Sequence, residues 1–338
     1  PFKNVFFNGI VRDKKGRKMS KSLGNSPDPI NLIEKHGADG VRVGMLLCSP
    51  AGNDLPFDEA LCEQGRNFAN KIWNALRLIK GWEVTDSKQP DSTKQAIDWF
   101  ENKINRAIIE IDKSYSEYRI SEALMNTYKL VWDDFCSWYL EIIKPNYGNP
   151  IDNITYQKTI EQLEKILKLL HPFMPFLSEE IWHLIEKREE DIIVSKWPKT
   201  TEINEVLLKD FENISEVISE IRTIRKEQRI AQKDVLELEV IYNDKPTNNL
   251  NAIIQKLGNL SSINIIKEKP SNGFSFMVRS NEFFIPIGDS IDLDVEIEKL
   301  QKDLDYNIGF LKSVENKLSN KKFVDNAPEQ VVMNEKKK

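Results

Sequence analysis

Cysteine and histidine are both scarce in this chain. Three of each occur among 338 residues: Cys48, Cys62 and Cys136, and His36, His171 and His183. The cysteines are odd in number and far apart, which fits neither a disulfide framework nor a zinc-ligand spacing and favours a reducing, cytoplasmic compartment. The histidines are too scattered to form a metal site. We therefore predict no metal and interpret each histidine as a surface or packed residue.

Long apolar runs are absent as well. No run approaches the roughly 20 residues that a membrane-spanning helix needs, and no signal-peptide pattern stands at the beginning. Hydrophobic residues nevertheless make up 40% of the chain and include seven tryptophans, enough to build cores and exclude global disorder. A length of 338 residues favours two or three domains over one.

Acidic residues outnumber basic ones overall, but not at the beginning of the chain. The formal net charge is −5, whereas residues 1–80 contain 13 Lys and Arg against 8 Asp and Glu, a net charge of +5. The remainder therefore carries −10. A basic front end on an acidic chain indicates a local anionic ligand rather than general affinity for nucleic acid.

The basic charge is concentrated in residues 12–25, RDKKGRKMSKSLGN. Two glycines, several short polar side chains and the lack of any helical or strand period predict a loop. Such a loop suits a ligand with concentrated negative charge, because glycines let the backbone turn towards phosphate oxygens and lysines supply compact charges. From charge alone, a solvated basic loop or a localisation tract is the commoner explanation.

Residues 18–22 spell KMSKS, which resembles the second signature of class I aminoacyl-tRNA synthetases, here extended by Leu-Gly-Asn at 23–25. Residues 28–59 look like the segment after this loop in the valine, isoleucine and leucine enzymes. Residues 65–77, GRNFANKIWNALR, are most similar to the valyl family. Nearly the whole chain resembles the C-terminal part of that family.

Two alternatives remain at this point: an isoleucyl or leucyl enzyme, and a non-catalytic RNA-binding module that retains the synthetase helical bundle. The upstream reading frame would separate an enzyme from such a module.

The resemblance implies an enzyme that joins valine to ATP, releases pyrophosphate and then esterifies the valine-specific tRNA, with Mg²⁺ accompanying ATP. It implies that Lys18 and Lys21 stabilise the triphosphate in the adenylation transition state, with Lys21 the stronger candidate. Met19, Ser20 and Ser22 would shape the loop and touch ATP. Catalysis would be electrostatic and positional, since the carboxylate of valine is itself the attacking group.

The other signature of the class, HIGH, does not occur in this sequence, because no histidine lies in an HxGH pattern. The chain also begins at Pro1, only seventeen residues before the KMSKS motif. We therefore expect a fragment that cannot form aminoacyl-adenylate alone, and a full enzyme that is a cytoplasmic monomer.

The pattern and the resemblance together predict a mainly α protein in four parts. These are the end of a catalytic domain with the KMSKS loop and a joining fold (1–58), a helical-bundle anticodon-binding domain (59–200), a linking helix with a small α+β module (201–290), and a partial coiled-coil tRNA-binding arm (291–338). A heptad spacing of apolar residues from Leu293 to Leu318 predicts the helix of the arm.

Within these parts, apolar periodicity predicts the individual elements. Helices are expected at 31–37, with Gly37 as the C-terminal cap, and at 39–47. Further helices are expected at 59–82, 94–116, 119–143, 155–170 and 176–187, with Ser178 capping the last, and an extended tail at 192–199. A further helix is expected at 211–233, and a short helix at 247–257 among strands at 235–242, 262–267, 274–279 and 282–287. The aromatic residues of 119–143 are interpreted as bundle core rather than as a base-stacking surface.

Four cations are candidates for tRNA contact on charge and placement alone: Lys71, Arg222, Arg225 and Arg229. The default alternative for each is a solvated helix face. The sequence does not show which bundle residues read the anticodon.

Overall fold

The structure is a computed structural model that describes residues 3–5, 7, 9–48, 53–286 and 293–319. The chain folds into two compact units. One comprises Pro1–Lys269 with Ser275–Phe284, and the other comprises Pro270–Phe274 with Ile285–Lys338.

The basic loop is flanked by a short parallel strand pair and followed by two helices. Strands β1 (Val11–Arg12) and β2 (Leu55–Pro56) pair in parallel. Helix α1 (Pro29–His36) begins with a proline and is capped by the Asp28 carboxylate, which accepts the N–H groups of the first turn. It ends at Gly37, whose φ of 75° is readily adopted only by glycine. The predicted helix and its glycine cap are confirmed.

Helices α2 (Ala38–Leu47) and α3 (Glu59–Lys80) cross at very short range. A Cβ atom at Gly65 would lie 2.4 Å from the carbonyl oxygen of Gly40, and one at Gly44 would lie 2.6 Å from the backbone nitrogen of Cys62. Glycine is required here because the two backbones leave no space for a side chain.

The helical bundle continues with α4 (Asp91–Ser116), α5 (Ile120–Lys129), α6 (Leu140–Ile143), α7 (Asn153–Leu170) and α8 (Pro175–Ile185). Strands β3 (Val84–Thr85) and β4 (Ile151–Asp152) form a second short parallel pair. A 3₁₀ turn at Ile192–Val194 opens the segment that was predicted to be extended throughout.

The predicted helix over 119–143 is interrupted by a π-helical segment, Leu130–Tyr139, between α5 and α6. Its wider turn lets the Ser137 hydroxyl donate to the Trp132 carbonyl, five residues back, at 2.8 Å. Phe135 and Tyr139 are buried among other aromatic rings, so the core interpretation is confirmed for them. Trp132 and Trp138 are only half-buried.

The predicted capping role of Ser178 is wrong. Helix α8 begins at Pro175, and Ser178 lies inside its first turn, where its hydroxyl donates to the Met174 carbonyl at 2.8 Å. The exposed amides of the first turn are instead satisfied from another helix. The carboxylate of Asp39 accepts from the Leu177 N–H at 2.7 Å and the Phe176 N–H at 3.4 Å.

Helix α9 (Glu205–Glu227) precedes a small α+β module. Strands β5 (Leu236–Ile241), β6 (Leu260–Ile265), β7 (Phe274–Val278) and β8 (Asn281–Ile285) form one sheet in the order β6-β5-β8-β7, and α10 (Asn251–Gly258) joins β5 to β6. The module is as predicted, but the prediction that α9 extends to Lys233 is wrong.

Helix α11 (Leu293–Ser319) carries the predicted heptad pattern. Leu304 and Leu311, two of its heptad positions, are exposed, whereas Val314 is buried. Residues 320–338, the rest of the predicted arm, lie outside the described residues. No helix in the described part of the chain is long and apolar enough to span a bilayer.

Candidate functional site

The basic loop has a defined geometry that starts from a tight hairpin. After β1 the chain reverses over Asp13–Arg17, closed by the Asp13 N–H donating to the Arg17 carbonyl at 2.9 Å. Gly16 sits in the turn with φ of 75°. The returning strand pairs with β1 through the Met19 N–H and the Val11 carbonyl at 2.9 Å. The first half of the KMSKS motif is therefore held as a short antiparallel ribbon.

Asn25 ties the second half of the motif to this hairpin. Its side-chain oxygen accepts from the Ser20 N–H at 2.9 Å, and its amide nitrogen donates to the Lys18 carbonyl at 3.2 Å and to the Asp13 carboxylate at 3.0 Å. The Arg17 guanidinium donates to the same carboxylate. Hydrogen bonds from Asn25 and Arg17 hold the pKa of Asp13 well below its usual range.

The serines of the motif form their own local turn. The hydroxyls of Ser20 and Ser22 are 3.2 Å apart, and the Leu23 N–H donates to the Ser20 hydroxyl at 3.3 Å. Gly24 closes the turn, with φ of 61° and its N–H on the Lys21 carbonyl at 3.1 Å. Both hydroxyls are placed within the loop and not in a core, as expected for groups that could donate to phosphate oxygens.

Met19 anchors the loop to the protein. Its side chain packs with Val11 against a buried cluster that contains Leu32, Phe57 and Cys62. Arg12 adds a polar tie, since it forms an ion pair with Asp54 and donates to the Gly16 carbonyl at 3.0 Å. One apolar side chain therefore faces the protein, whereas the cations on either side of it face away.

Lys18 and Lys21 are both exposed. Neither forms an ion pair with any carboxylate of the described residues, in contrast to Lys14, which pairs with Asp58 at 3.0 Å. The loop thus presents two uncompensated ammonium groups on a fixed backbone, with two hydroxyls between and beside them. This arrangement can stabilise charge that accumulates on a polyphosphate, and it contains no group placed as a general base.

The four candidate tRNA contacts lie in different surroundings. Lys71 is half-buried, with its ammonium 5.3 Å from the centre of the Trp132 ring. The Arg222 guanidinium is exposed and lies 5.5 Å from the centre of the Trp138 ring. Arg229 is exposed just beyond the end of α9, with φ of 54°. The first two therefore combine a cation with a half-buried indole.

Arg225 is a structural residue in this fold. Its side chain is 3% exposed and donates to the carbonyls of Ala231, Gly258 and Asn259 at 2.9–3.2 Å. Burial lowers the pKa of its guanidinium. These contacts brace the end of α9 against α10, and they leave no surface for an RNA phosphate. The prediction that Arg225 contacts tRNA is therefore not supported.

The chain matches three models of known protein families. Residues 1–58 match class I tRNA synthetases for isoleucine, leucine, methionine and valine, and residues 98–241 match the anticodon-binding domain of tRNA ligases. Residues 292–338 match the tRNA-binding arm of valyl-tRNA synthetase.

Curated relatives agree over the whole chain. It is 55% identical to valine–tRNA ligases of Christiangramia forsetii, over 341 residues, and Phocaeicola vulgatus, over 340, and 33% identical to that of Thermotoga maritima over 343. The chain is therefore similar to valine–tRNA ligases over its whole length. It is covered completely in each match, but spans only 39% of the length of these relatives.

Among solved structures, a leucyl-tRNA synthetase of Agrobacterium radiobacter in a ternary complex covers 70% of this chain and 26% of its own, with 20% identity and a TM-score of 0.44. A likeness at this level is too weak to place any side chain of this protein.

Two features of the site were missed by sequence reasoning. Asn25 was noted only as part of the extended KMSKS motif, although its carboxamide joins three segments of the loop. Glu179, His183 and Asp191 also come together, with the His183 Nε2 atom 3.1 Å from Glu179 and 3.2 Å from Asp191. Because Glu179 also accepts the Ile192 N–H, this group is explained as a hydrogen-bonded network, and we assign no metal to it.

Proposed function

We propose that this chain is the C-terminal, tRNA-handling part of an enzyme that attaches valine to its tRNA at the expense of ATP. The observation that carries the proposal is the 55% identity to valine–tRNA ligases over the entire chain. The match of the last segment to a valyl-specific arm favours this family over the isoleucyl and leucyl ones. The whole enzyme would act as a cytoplasmic monomer on valine, tRNA and ATP with Mg²⁺.

In this proposal the basic loop acts on the triphosphate during adenylation. Lys18 and Lys21 are exposed and have no carboxylate partner among the described residues, so their charge is available to phosphate oxygens. A cation that approaches these oxygens more closely in the transition state than in the bound substrate lowers the barrier. Lys21 is the stronger candidate. Met19 anchors the loop, and Ser20 and Ser22 contribute hydroxyl donors.

The remaining parts would hold the tRNA. We assign residues 1–58 to the end of the catalytic domain, 59–200 to anticodon binding, 201–290 to the linking helix and α+β module, and 291–338 to the arm. Lys71, Arg222 and Arg229 remain candidates for phosphate or base contact, because each is at least partly accessible.

The test is binding of the purified chain to valine tRNA and isoleucine tRNA at low and near-physiological salt. Phosphate contacts alone weaken steeply and equally for both tRNAs as salt rises, because binding then depends on counterion release. We expect a preference for valine tRNA that persists at the higher salt. Equal affinities that vanish together with salt, or a preference for isoleucine tRNA, would contradict the proposal.

A further inference from the structure

A cleft of about 430 Å³ lies where α2, α7, the start of α8 and residues 192–197 meet. Three cationic side chains line the cleft: Arg42 from α2, Lys168 from the last turn of α7, and Lys196. His171 also lines it, and no carboxylate among the described residues does. The other lining residues are apolar or uncharged, among them Ile193, Ser195 and Trp197. Residues far apart in sequence thus build one cationic depression in a chain of net charge −5.

The cations of this cleft are not neutralised by ion pairs with carboxylates. Within the described ranges, none of Arg42, Lys168 and Lys196 forms an ion pair. The nearby carboxylates bond to other groups: Asp39 accepts from backbone N–H groups at the start of α8, and Glu179 contacts His183. Burial lowers the pKa of His171 against the opposing influence of both carboxylates, so this side chain adds no positive charge at pH 7.

Two of the cations are held in place by neutral groups. Arg42 donates through Nε to the Phe173 carbonyl at 3.1 Å and through Nη2 to the Pro172 carbonyl at 3.0 Å. The Lys168 ammonium lies 5.3 Å from the centre of the Trp182 ring. Carbonyls and an indole face orient a cation without neutralising it, which leaves its net charge available to an external anion.

The rim of the cleft suits a polymer rather than a small anion. Ile193 is 72% exposed and Trp197 is 37% exposed beside the cations. The Trp197 indole nitrogen donates to the Asp112 carboxylate at 2.9 Å, which fixes the ring. Single-stranded and looped nucleic acids combine backbone phosphates with bases and sugars that pack on such apolar faces.

We propose that this cleft binds the phosphodiester backbone of the tRNA, through Lys168 and Lys196, with Trp197 and Ile193 contacting the adjoining sugar or base. The inference rests on the proposed function, since it takes tRNA as the partner. It adds a binding site separate from Lys71, Arg222 and Arg229. Helix α2 lies shortly after the KMSKS loop in the chain. The tRNA would therefore bind where residues 1–58 join the helical bundle.

The decisive experiment compares tRNA affinity across salt concentrations for the unmodified 338-residue chain and the double variant Lys168→Gln/Lys196→Gln. Each lost phosphate contact lowers the slope of log K against log salt by about 1, so the slope should fall by about 2. The dissociation constant at ~0.1 M salt should rise by roughly tenfold per contact. The matched control is Lys88→Gln/Lys94→Gln, which removes the same charge from exposed lysines and should change neither quantity.

The outcomes separate the two proposals. If the unmodified chain binds tRNA and the double variant binds with the same constant and slope, the cleft assignment is overturned while the proposed function stands. If the unmodified chain binds no tRNA at all, both the cleft assignment and the proposed function are contradicted.

Inorganic phosphate tests the other source of the same chemistry. Inorganic phosphate that binds the unmodified chain but not the variant, while tRNA binds both with the same constant and salt slope, would identify a site for free phosphate and overturn the RNA assignment.

Two readouts guard against a folding artefact. Helicity and melting temperature of the double variant should remain near those of the control pair. If they do not, the single change Lys196→Gln is used, at an exposed side chain, with an expected slope change of about 1. Emission from Trp197 provides a local signal, because the fluorescence change on tRNA addition should be largely lost in Trp197→Phe.

Discussion

At the scale of single residues, one carboxamide fixes the geometry of the basic loop. Asn25 bonds to Asp13 at the start of the hairpin turn, to Lys18 in the returning strand and to Ser20 in the KMSKS turn. An aspartate would repel Asp13, and a serine could not reach all three partners. The conformation that presents Lys18 and Lys21 therefore depends on a residue that carries no charge.

Replacing Asn25 by alanine should loosen the loop without affecting the bundle. Each hydrogen bond lost is worth about 0.5–1.5 kcal/mol, so exchange of the Met19 amide, which bonds to Val11, should accelerate about fivefold or more. The measurement is amide hydrogen exchange, together with the melting temperature, which should not change. Ser26→Ala, at the exposed neighbouring residue, is the control. Unchanged exchange at Met19 would show that the loop is held by Met19 packing alone.

A second residue-scale feature is a carboxyl group whose ionisation opposes folding. Burial raises the pKa of Asp134 to about 6, despite Lys103 at 3.6 Å. A carboxyl whose pKa is higher in the folded than in the unfolded chain binds more protons when folded. Its favourable contribution is complete below the unfolded pKa of 3.8 and is lost as pH rises through about 6.

Asp134→Asn should therefore stabilise the chain at pH 7 and above but not at pH 4. The asparagine imitates the protonated carboxyl, so the difference in unfolding free energy between variant and parent should grow between pH 4 and pH 7. Urea unfolding across this range measures it. The control is Asp86→Asn, at an exposed carboxylate that is not among the charges acting on Asp134, and no such trend is expected for it. A variant that is less stable at pH 7 would mean that the Lys103 pairing outweighs the cost of burial.

At the scale of elements, the α2–α3 crossing joins the segment after the KMSKS loop to the bundle. Gly40 and Gly65 let the two backbones touch, while Asp39 and Arg42, on the same helix α2, bond to the start of α8 and the chain just before it. Helix α2 is thus held on two sides by different physical means. Close backbone packing acts on one side, and hydrogen bonds to a helix N-terminus and to carbonyls act on the other.

Gly65→Ala should disturb this crossing. The new methyl group would lie 2.4 Å from the Gly40 carbonyl oxygen, a backbone atom that cannot yield without moving a helix. Overpacking of this kind costs about 1–3 kcal/mol, so the melting temperature should fall by several degrees. Thermal unfolding followed by circular dichroism is the measurement. Asn67→Ala, at an exposed position two residues further along α3, should be neutral or slightly stabilising.

At the scale of the whole molecule, the basic loop is expected to need a partner site. This sequence contains no HIGH motif, and among the described residues only a two-residue parallel pair, β1 with β2, flanks the loop. The two lysines that we propose to stabilise a triphosphate could not position valine and ATP for attack by themselves.

The 338-residue chain should therefore show no valine-dependent ATP–pyrophosphate exchange, even where it binds tRNA. In a longer protein that includes HIGH, Lys21→Ala should lower kcat for exchange about 10²–10³-fold with a smaller effect on KM, as expected for contacts made in the transition state. Exchange by the chain alone, or a Lys21→Ala effect confined to KM, would contradict this role. Lys15→Ala, in the same loop but outside the motif, is the matched control.

The linear sequence determined what depends on local pattern. The KMSKS loop, most helices and the strands of the small module follow from spacing, turn residues and charge, which act over a few positions. The pattern also sufficed to predict the buried face of 119–143, although not its π-helical turn.

Tertiary structure alone decided what depends on residues distant in the chain. Ser178 was displaced as a cap because Asp39 reaches α8 from 137 residues away. Arg225 is buried because the Gly258 and Asn259 carbonyls meet it there. The cleft of Arg42, Lys168 and Lys196 exists only once α2, α7 and residues 192–197 pack together. A one-dimensional pattern assigns a residue to a helix face, but it cannot say which distant groups pack against that face, and those groups decide burial and partners.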